Sequence, residues 1–250
     1  MIYGLYLSAT GVMASSYRQD VISNNLANAE TVGFKRDLAS FEERRVESQQ
    51  GAGADPRWRN LTGGLWASAT AIDSSQGELE STGNSTDVAI EGKGYFQVQG
   101  KGESRLTRDG RFLIDRAGNL VMANGKGEKV LDPKGKPIVL DGRFKTEISN
   151  DGAITQQGKP VGSIGVFDVP QPELLKQEGG SLLAYPKMSD AKATVAGKLR
   201  SGFVERANVD PASELVQLMD AQRQLEANSN MIKFQDMTMG RLVNDVAKIS

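Results

Sequence analysis

A seven-residue repeat of apolar residues near the C-terminus constrains the fold of this chain more than any other feature. The repeat consists of Leu218, Leu225, Ile232, Met239 and Val246. A second row, three positions further on, has a polar middle and consists of Ala221, Asn228, Gln235, Leu242 and Ile249. An unbroken spacing of seven is the value for coiled coils. We therefore predict one long helix over residues 211–248, about 57 Å in length, with a partner along its apolar side.

The residues in front of the repeat carry the signals of a helix start. Asp210 suits the N-cap, Pro211 suits the first helical position, and Glu214 lies near the positive end of the helix dipole. The helix could simply pack on its own β-domain. However, a compact domain of about a hundred residues has a radius of gyration near 13 Å and does not cover a helix of this length.

The N-terminal segment supplies a second helix. Over residues 2–28, apolar or small residues recur at helical spacing: Leu5, Ala9, Val12, Ser16, Ile22 and Leu26. Asn24, Asn25 and Asn28 end this helix, since asparagine tolerates the left-handed conformation. We predict that the terminal helices pair as a coiled coil and bury the rest of their apolar surface against copies of the same protein. Asn228 and Gln235 would weaken a dry seam but could specify its register. The predicted assembly interface consists of Leu5, Val12, Ile22, Leu26, Leu218, Leu225, Ile232, Met239 and Val246.

Residues 77–169 show short strands with frequent turns. Large apolar residues occupy alternate positions at Val88 and Ile90 and at Phe96 and Val98, which is typical of strands. The turn dipeptides are Asp109-Gly110, Asn124-Gly125, Asp141-Gly142 and Asp151-Gly152. The first of them predicts a two-residue hairpin between residues 105–108 and 111–114. Strands at this spacing predict an antiparallel β-domain, sandwich-like or partly barrelled.

The predicted fold class is therefore α+β, with long terminal helices paired as a coiled coil and an inserted, mainly antiparallel β-domain. Residues 1–34 and 208–250 form the predicted helical assembly domain. Residues 35–76, which are rich in Gly, Ala and Gln and lack a clear period, form an extended arm or loop. Residues 77–207 form a β-rich outer domain.

Composition excludes several functions. The chain has 30 basic and 31 acidic residues and a formal net charge of −1, so it has no basic excess for nucleic acid. It has no cysteine and no histidine, so thiolate chemistry and the commonest general base and metal ligand are absent. We predict no catalytic, cofactor-binding or metal-binding residues and no cofactor.

The first 17 residues carry no charged side chain and superficially resemble a signal peptide. No basic residue precedes the apolar stretch, since the first is Arg18, and Gly4, Ser8 and Gly11 interrupt it. The stretch is also too short and too polar to span a bilayer. We expect no membrane insertion and, if the protein leaves the cytoplasm, no conventional cleaved signal.

The two alternative functions are a peptidoglycan-cleaving enzyme and a secreted β-rich binding module. Asp109 and Asp115 could form a glycosidase-like carboxylate pair in a peptidoglycan-cleaving enzyme, although turns explain both residues better. A secreted β-rich binding module would need grouped exposed aromatic residues, but Trp58 and Trp66 lie in the irregular arm.

Three blocks of the sequence resemble the bacterial flagellar rod and hook family. Residues 20–35 (DVISNNLANAETVGFK) closely resemble its N-terminal signature, in which we single out Asn24, Asn25, Asn28, Gly33, Phe34 and Lys35. Residues 82–98 (TGNSTDVAIEGKGYFQV) and 107–112 (TRDGRF) are similar to its β-domain core. Residues 208–211 (NVDP), 214–216 (ELV), 221–223 (AQR) and 226–229 (EANS) are similar to its closing helix. The blocks stand in family order and extend almost end to end.

The resemblance implies a structural subunit of the flagellar basal-body rod, the drive shaft between motor and hook. It implies that the partners of the protein are further copies of itself, other rod proteins and the flagellar type III export apparatus. It also implies a periplasmic location. Residues 222–226 (QRQLE) lack the Arg-Ala-Tyr-Glu run usual in the distal-rod protein. The sequence therefore favours the proximal-rod type, with the distal-rod type as the alternative.

Overall fold

The computed structural model describes residues 2–45, 62–100, 102–193 and 198–247. Within this part of the chain, the residues divide into two compact units. Unit 1 contains residues of Met1–Leu26, Asp37–Thr70 and Asp210–Ser250, and unit 2 contains residues of Ala27–Arg36 and Ala71–Val209. The fold is α+β, as predicted, with a helix near each end of the chain and antiparallel strands between them.

The helices are α1 (Ile2–Ala27) and α2 (Pro211–Ala247). The strands are β1 (Asp37–Leu38), β2 (Phe41–Arg45), β3 (Thr62–Ala67), β4 (Ala71–Ile72), β5 (Leu79–Ser81), β6 (Val88–Glu91), β7 (Tyr95–Gln99), β8 (Ser104–Thr107), β9 (Phe112–Ile114), β10 (Leu120–Met122), β11 (Lys129–Val130), β12 (Thr146–Ile148), β13 (Ala153–Gln156), β14 (Lys159–Ser163), β15 (Val166–Asp168), β16 (Lys176–Gln177), β17 (Leu182–Ala184), β18 (Lys192–Ala193), β19 (Lys198–Ser201) and β20 (Phe203–Glu205).

Helix α2 begins where the sequence predicts. An Asp210 carboxylate oxygen accepts a hydrogen bond from the Ala212 backbone N–H at 3.2 Å, and the Asp210 carbonyl accepts one from the Glu214 N–H at 3.0 Å. The first bond satisfies an N–H group that a helix start leaves without an intrahelical partner, and the second is the first bond of the helix itself. The predicted N-cap is therefore confirmed. The predicted last residue, Lys248, lies outside the described residues.

Strands β2 and β3 form an antiparallel pair beside α1 in unit 1. The Tyr17 ring meets the Phe41 ring edge to face at a centroid distance of 6.0 Å, and the Tyr17 hydroxyl donates to the Ser68 carbonyl at 3.2 Å. Arg44 donates to the Tyr6 hydroxyl at 3.3 Å. The segment predicted to be an extended arm thus includes a strand pair, with a shift of register between Glu43 and Arg45, that contacts a helix. Trp58 lies outside the described residues.

In unit 2, the main sheet is built around β7. One edge of β7 pairs with β8, and its other edge is shared by β11 and β15. The Phe96 ring lies under this sheet and packs edge to face on Phe112 at a centroid distance of 5.2 Å. The core around this pair consists mainly of aliphatic residues: Val88, Ile90, Val98, Leu120, Met122, Val130, Ile138, Leu140, Ile148, Ile154, Ile164, Val166, Leu182 and Leu199. These residues include the alternating positions predicted to face the core.

The hairpin predicted at Asp109-Gly110 is wrong. Strand β8 pairs with β7 and β17, whereas β9 pairs with β10, so the two strands that flank the dipeptide are not partners. The Gly110 carbonyl instead accepts a hydrogen bond from the Val88 N–H at 2.9 Å. A long-range contact therefore determines the backbone here, and local turn preference does not.

The other turn predictions are confirmed. Gly125 and Gly152 have φ of +77° and +85°, in the region that favours glycine, and lie in the connections β10–β11 and β12–β13. At Asp141-Gly142, the Asp141 carbonyl accepts a turn hydrogen bond from Phe144 at 3.2 Å.

Gly110→Ala tests the close approach of this segment to β6. A Cβ atom at this position would lie 1.6 Å from the Val88 carbonyl oxygen, so the backbone has to move and we expect a loss of about 3 kcal/mol in the free energy of unfolding. Urea titration followed by far-ultraviolet circular dichroism measures this loss. Gly100→Ala is the control, since its Cβ would approach Glu128 Cγ no closer than 3.6 Å. Equal stability of the two variants would contradict the assigned packing.

Candidate assembly interface

The motif that follows α1 starts with a tight turn at Gly33. Its φ of +70° favours glycine, and a Cβ atom here would lie 2.2 Å from the Asp109 backbone nitrogen. The Gly33 N–H donates to the Glu205 carbonyl at 2.7 Å. Phe34, the next residue, is fully buried beside Ala29 and Val209. The turn therefore holds the start of unit 2 against its last strand.

A buried ion cluster of Lys35, Arg108 and Glu205, here called the Glu205 cluster, follows this turn. Lys35 Nζ donates to Glu205 Oε1 at 2.5 Å and to the Ser75 carbonyl at 2.6 Å. Arg108 Nη1 donates to Glu205 Oε2 at 3.0 Å, and the Gly77 N–H donates to Oε1 at 2.9 Å. One carboxylate thus connects four separate segments of unit 2.

The electrostatics of the cluster follow from its burial. Burial lowers the pKa of Lys35, and the charge and hydrogen bond of Glu205 oppose that shift. Arg108 also donates to the Gly92 carbonyl at 2.8 Å and stacks over the Tyr95 ring, 5.0 Å from its centroid. Lys35 and Arg108 are therefore both buried and both paired with Glu205.

Two asparagine side chains hold the chain where it passes from unit 2 to unit 1. Asn25, which is 1% exposed, accepts from the Asp37 N–H at 2.9 Å and donates to the Asp37 carbonyl at 2.8 Å within unit 1. Asn208 accepts from the Arg36 N–H at 2.7 Å and donates to the Asp73 carbonyl at 3.0 Å within unit 2. Each asparagine side chain therefore both accepts a hydrogen bond from a backbone N–H group and donates one to a backbone carbonyl.

The other two asparagines of the motif take different positions. Asn24 is exposed on α1, while the Asn28 carbonyl accepts from the Thr31 N–H at 2.9 Å just beyond the helix end. The Thr31 hydroxyl donates to the Asn28 side chain at 3.3 Å. Asn28 thus lies in the turn after α1, whereas Asn25 lies within α1 and binds the backbone of Asp37.

The heptad rows of α2 occupy its less exposed side. The buried or half-buried positions of these rows are Leu218, Ala221, Leu225, Asn228, Ile232, Gln235 and Met239. Ala221 is only 1% exposed. On α1, Ile22 is buried and Leu5, Val12 and Leu26 are half-buried. The side chain of Val246, the remaining predicted interface residue, lies outside the described part of the chain.

Side chains of α2 contact α1 within unit 1. Arg18 donates to the Gln224 side chain at 3.4 Å. A Cβ atom on Gly4 would lie 2.9 Å from Gln235 Nε2, and one on Gly11 would lie 2.9 Å from Asn228 Nδ2. As the residue number on α1 rises, the number on α2 falls, so the helices run in opposite directions. Gly4 and Gly11 are the immediate neighbours of the predicted Leu5 and Val12.

The opposite side of α2 carries a second apolar surface. The outer α2 face consists of two exposed apolar pairs, Val216 with Met219 and Phe234 with Met237, which lie about 180° around the helix from the heptad rows. The exposed Arg223, Glu226 and Asn230 lie between the two pairs on the same side. Phe234 is 64% and Val216 is 54% exposed. Large exposed apolar residues grouped on one side of a helix are typical of protein interaction sites. The two heptad rows do not predict this face, because its residues fall outside both rows.

The geometry does not favour the enzymatic alternative. The Asp109 carboxylate is buried and paired with Arg111 at 2.8 Å. Asp115 accepts three hydrogen bonds from its own loop, and the bonds from Asn119 lower the pKa of Asp115. A general acid needs a raised pKa instead. Among the described residues, no group of acidic side chains is arranged to hold a metal ion, and neither helix could cross a membrane.

Family models of flagellar rod and hook proteins match successive parts of the chain. Residues 5–35 match the flagella basal body rod protein, and residues 89–156 match the D1 domain of the flagellar hook protein FlgE/F/G. Residues 200–245 match the C-terminal part of the flagellar basal body rod FlgEFG protein. The matches include the Gly33 turn, Arg108, Glu205 and most of both helices.

Individual relatives extend this similarity to nearly the whole chain. The flagellar basal-body rod protein FlgG of Bacillus subtilis is 32% identical and covers 98% of this chain and 99% of its own length. FlgG of Buchnera aphidicola subsp. Baizongia pistaciae is 34% identical, with 97% and 99% covered. FlgF of Caulobacter vibrioides is 31% identical, with 91% of each chain covered. The chain belongs to the flagellar basal-body rod protein family, and it is a structural protein and not an enzyme.

Glu205→Gln tests the buried cluster. The variant keeps the shape but leaves two buried cations without an anion, so we expect a loss of about 3–5 kcal/mol in the free energy of unfolding. Glu178→Gln is the matched control, because it removes an exposed pair with Arg105 and should cost less than about 1 kcal/mol. Denaturant titration compares the two variants. Equal losses would contradict a central role for Glu205.

Asp37 provides a pH-dependent test in unit 1. Burial raises the pKa of Asp37 to about 6, and its Oδ1 has no hydrogen-bond partner among the described residues. A raised folded-state pKa means that folding favours the protonated form, so Asp37 lowers stability as pH rises from about 4 to about 6. Asp37→Asn should therefore stabilise the protein by about 1 kcal/mol at pH 7, because water still screens part of the group.

At pH 3.5 the Asp37→Asn variant and the wild type should have the same stability, since both carry a neutral side chain there. Thermal unfolding at the two pH values, with the difference between the proteins as the readout, checks this. A constant difference at both values would show that Asp37 titrates normally.

Proposed function

We propose that this protein is a subunit of the flagellar basal-body rod, which assembles helically with copies of itself and with other rod proteins into the shaft that transmits torque from motor to hook. The observation that carries the proposal is in unit 1. Helices from both ends of the chain lie in one unit, yet α2 retains an exposed apolar face along its outer side. Full-length similarity to flagellar basal-body rod proteins supports the same conclusion.

The first element of this proposal is pairing of α1 and α2 as a short coiled coil. The half-buried positions on α2 follow the heptad rows, and the contacts at Gly4 and Gly11 are seven residues apart on α1, as their partners are on α2. Equal steps on both helices are what knobs-into-holes packing requires.

The second element is association through the outer α2 face. Methionine is adaptable and suits surfaces that must pack against a neighbour without perfect complementarity. A face on one side of a subunit that docks to a different surface of the next copy makes a head-to-tail contact, and such contacts build open helices. The half-buried Leu5, Val12, Leu218 and Leu225 complete the proposed assembly interface.

The position along the rod is the finer part of the proposal. Residues 222–226 favour the proximal-rod type, which corresponds to FlgF, because they lack the run usual in the distal-rod protein. The distal position is the second candidate, since relatives named FlgG cover 97–98% of this chain. We further propose a periplasmic location reached through the flagellar export apparatus without a cleaved signal.

Deletion of the gene tests the function and the position together. We expect a non-motile strain, and electron microscopy of its basal bodies should show a rod that ends near the inner membrane for a proximal subunit. A longer stump would indicate the distal position. Restoration of a complete rod by the wild-type gene on a plasmid is the control. Normal swimming of the deletion strain would refute the rod function.

A double substitution tests the outer α2 face. Phe234→Ser with Met237→Ser removes two large exposed apolar side chains from the outer face, so we expect loss of swimming in soft agar without loss of monomer stability. Phe234→Leu with Met237→Leu keeps the face apolar and should swim normally. If the serine variant swims as well as the leucine variant, this face is not an assembly contact.

A further inference from the structure

The two glycine contacts of α1 form a pattern of their own. Gly4 lies against the amide of Gln235, and Gly11 lies against the amide of Asn228. Each pair has an amide nitrogen only 2.9 Å from the place where a Cβ atom would stand. A larger residue at either glycine would therefore displace the amide from its present position. Both polar residues of the second heptad row are thus matched to a position without a side chain.

We propose that these two amide–glycine contacts determine the register in which α1 and α2 pair. The inference rests on the proposed pairing of the terminal helices in the assembled rod. It assigns specificity to residues that the heptad pattern alone marks only as weak points of an apolar seam.

The apolar row cannot select a register by itself. It reads Leu218, Leu225, Ile232 and Met239, so a slide of one helix by seven residues places another large apolar residue at every position. Burial of apolar area is non-directional and changes little with such a slide. Something other than the apolar row has to distinguish the registers.

The second row does distinguish them. A slide of seven residues in one direction would place Gln235 opposite Gly11 and Asn228 opposite Arg18, whose long side chain fills the space that a glycine leaves. A slide in the other direction would place Asn228 opposite Gly4 and Ala221 opposite Gly11, so that Gln235 loses its glycine. Only the observed register gives both amides a glycine, and a mismatched polar residue in a seam disfavours the alternatives.

A fixed register matters for assembly because the outer α2 face moves with α2. A slide of seven residues shifts that face by about 10 Å along the helix axis. Copies in different registers would then present Phe234 and Met237 at different heights. A helical assembly needs the same contact in every copy.

Disulfide formation tests the register directly, because the natural chain contains no cysteine. A Cβ atom on Gly11 would lie 3.0 Å from Asn228 Cγ, which is one bond from Asn228 Cβ. The two Cβ atoms are thus within about 4.5 Å, which a disulfide can bridge. Gly11→Cys with Asn228→Cys should form an intramolecular disulfide in the purified full-length protein under mild oxidation.

The matched control is Gly11→Cys with Ala221→Cys and Asn228→Ala, which reports the register shifted by seven residues and, like the native pair, lacks the Asn228 amide. We expect about tenfold less disulfide from this protein, because the shift leaves Gln235 without its glycine. Adding Gln235→Leu removes the remaining amide and should raise its disulfide yield to that of the native pair. Equal yields from the first two proteins, or no rise in the third, would overturn the proposal, as would disulfides formed only between molecules.

Motility provides a second measurement. Gly11→Leu should abolish swimming. Combining it with Asn228→Gly should restore swimming, because α1 then carries the large residue and α2 carries the glycine that leaves space for it. Gln235→Gly should not restore it. Rescue by both glycine substitutions, or by neither, would contradict register selection.

The failure of this proposal and the failure of the rod function give different results. A deletion strain that swims normally would refute the rod function, and the disulfide yields of the purified protein would still report the register. Equal disulfide yields in a protein whose deletion abolishes swimming would refute register selection alone.

Discussion

Unit 2 depends on one buried carboxylate. Glu205 takes hydrogen bonds from Lys35, Arg108 and the Gly77 backbone, and its own carbonyl holds the Gly33 turn. Removing a buried anion from two cations costs far more than the net energy of an exposed ion pair. The partners lie near residues 33, 77, 108 and 205, so local folding of any one segment cannot satisfy the charges. The unit is therefore complete only when its first turn and its last strand are both in place.

Unit 1 follows a different principle. Its helices carry half-buried heptad rows, and α2 exposes a second apolar face, so much of the apolar area available to unit 1 stays in contact with water in a single chain. If further copies cover that face, as we propose, unit 1 gains stability on association. A chain built in this way is suited to a subunit that first exists alone and is then incorporated. The asparagine clamps at Arg36 and Asp37 secure the chain on each side of this division.

Local signals in the sequence were sufficient for much of the fold. The cap at Asp210, the extent of both helices and the turns at Gly125 and Gly152 follow from the preferences of a few adjacent residues, which is why they could be predicted. The hairpin at Asp109-Gly110 failed because a contact with Val88, far away in sequence, determines that backbone. Glu205 carries no local signal: a single glutamate at the end of a short strand looks like any exposed residue. Its role becomes visible only when the cations from distant segments are placed beside it.

The role of the polar residues in the second heptad row also depends on residues that are distant in sequence. Taken alone, Asn228 and Gln235 are polar interruptions that lower the hydrophobicity of a seam. Opposite Gly4 and Gly11, they become shape-specific contacts, because each amide occupies space that a glycine leaves open. The apolar row contributes cohesion that is nearly independent of register, whereas the amides contribute little cohesion but distinguish one register from the next. A helix that must bind its partner helix in one register needs both rows. More apolar residues would not select the register, and more amides would not supply the cohesion.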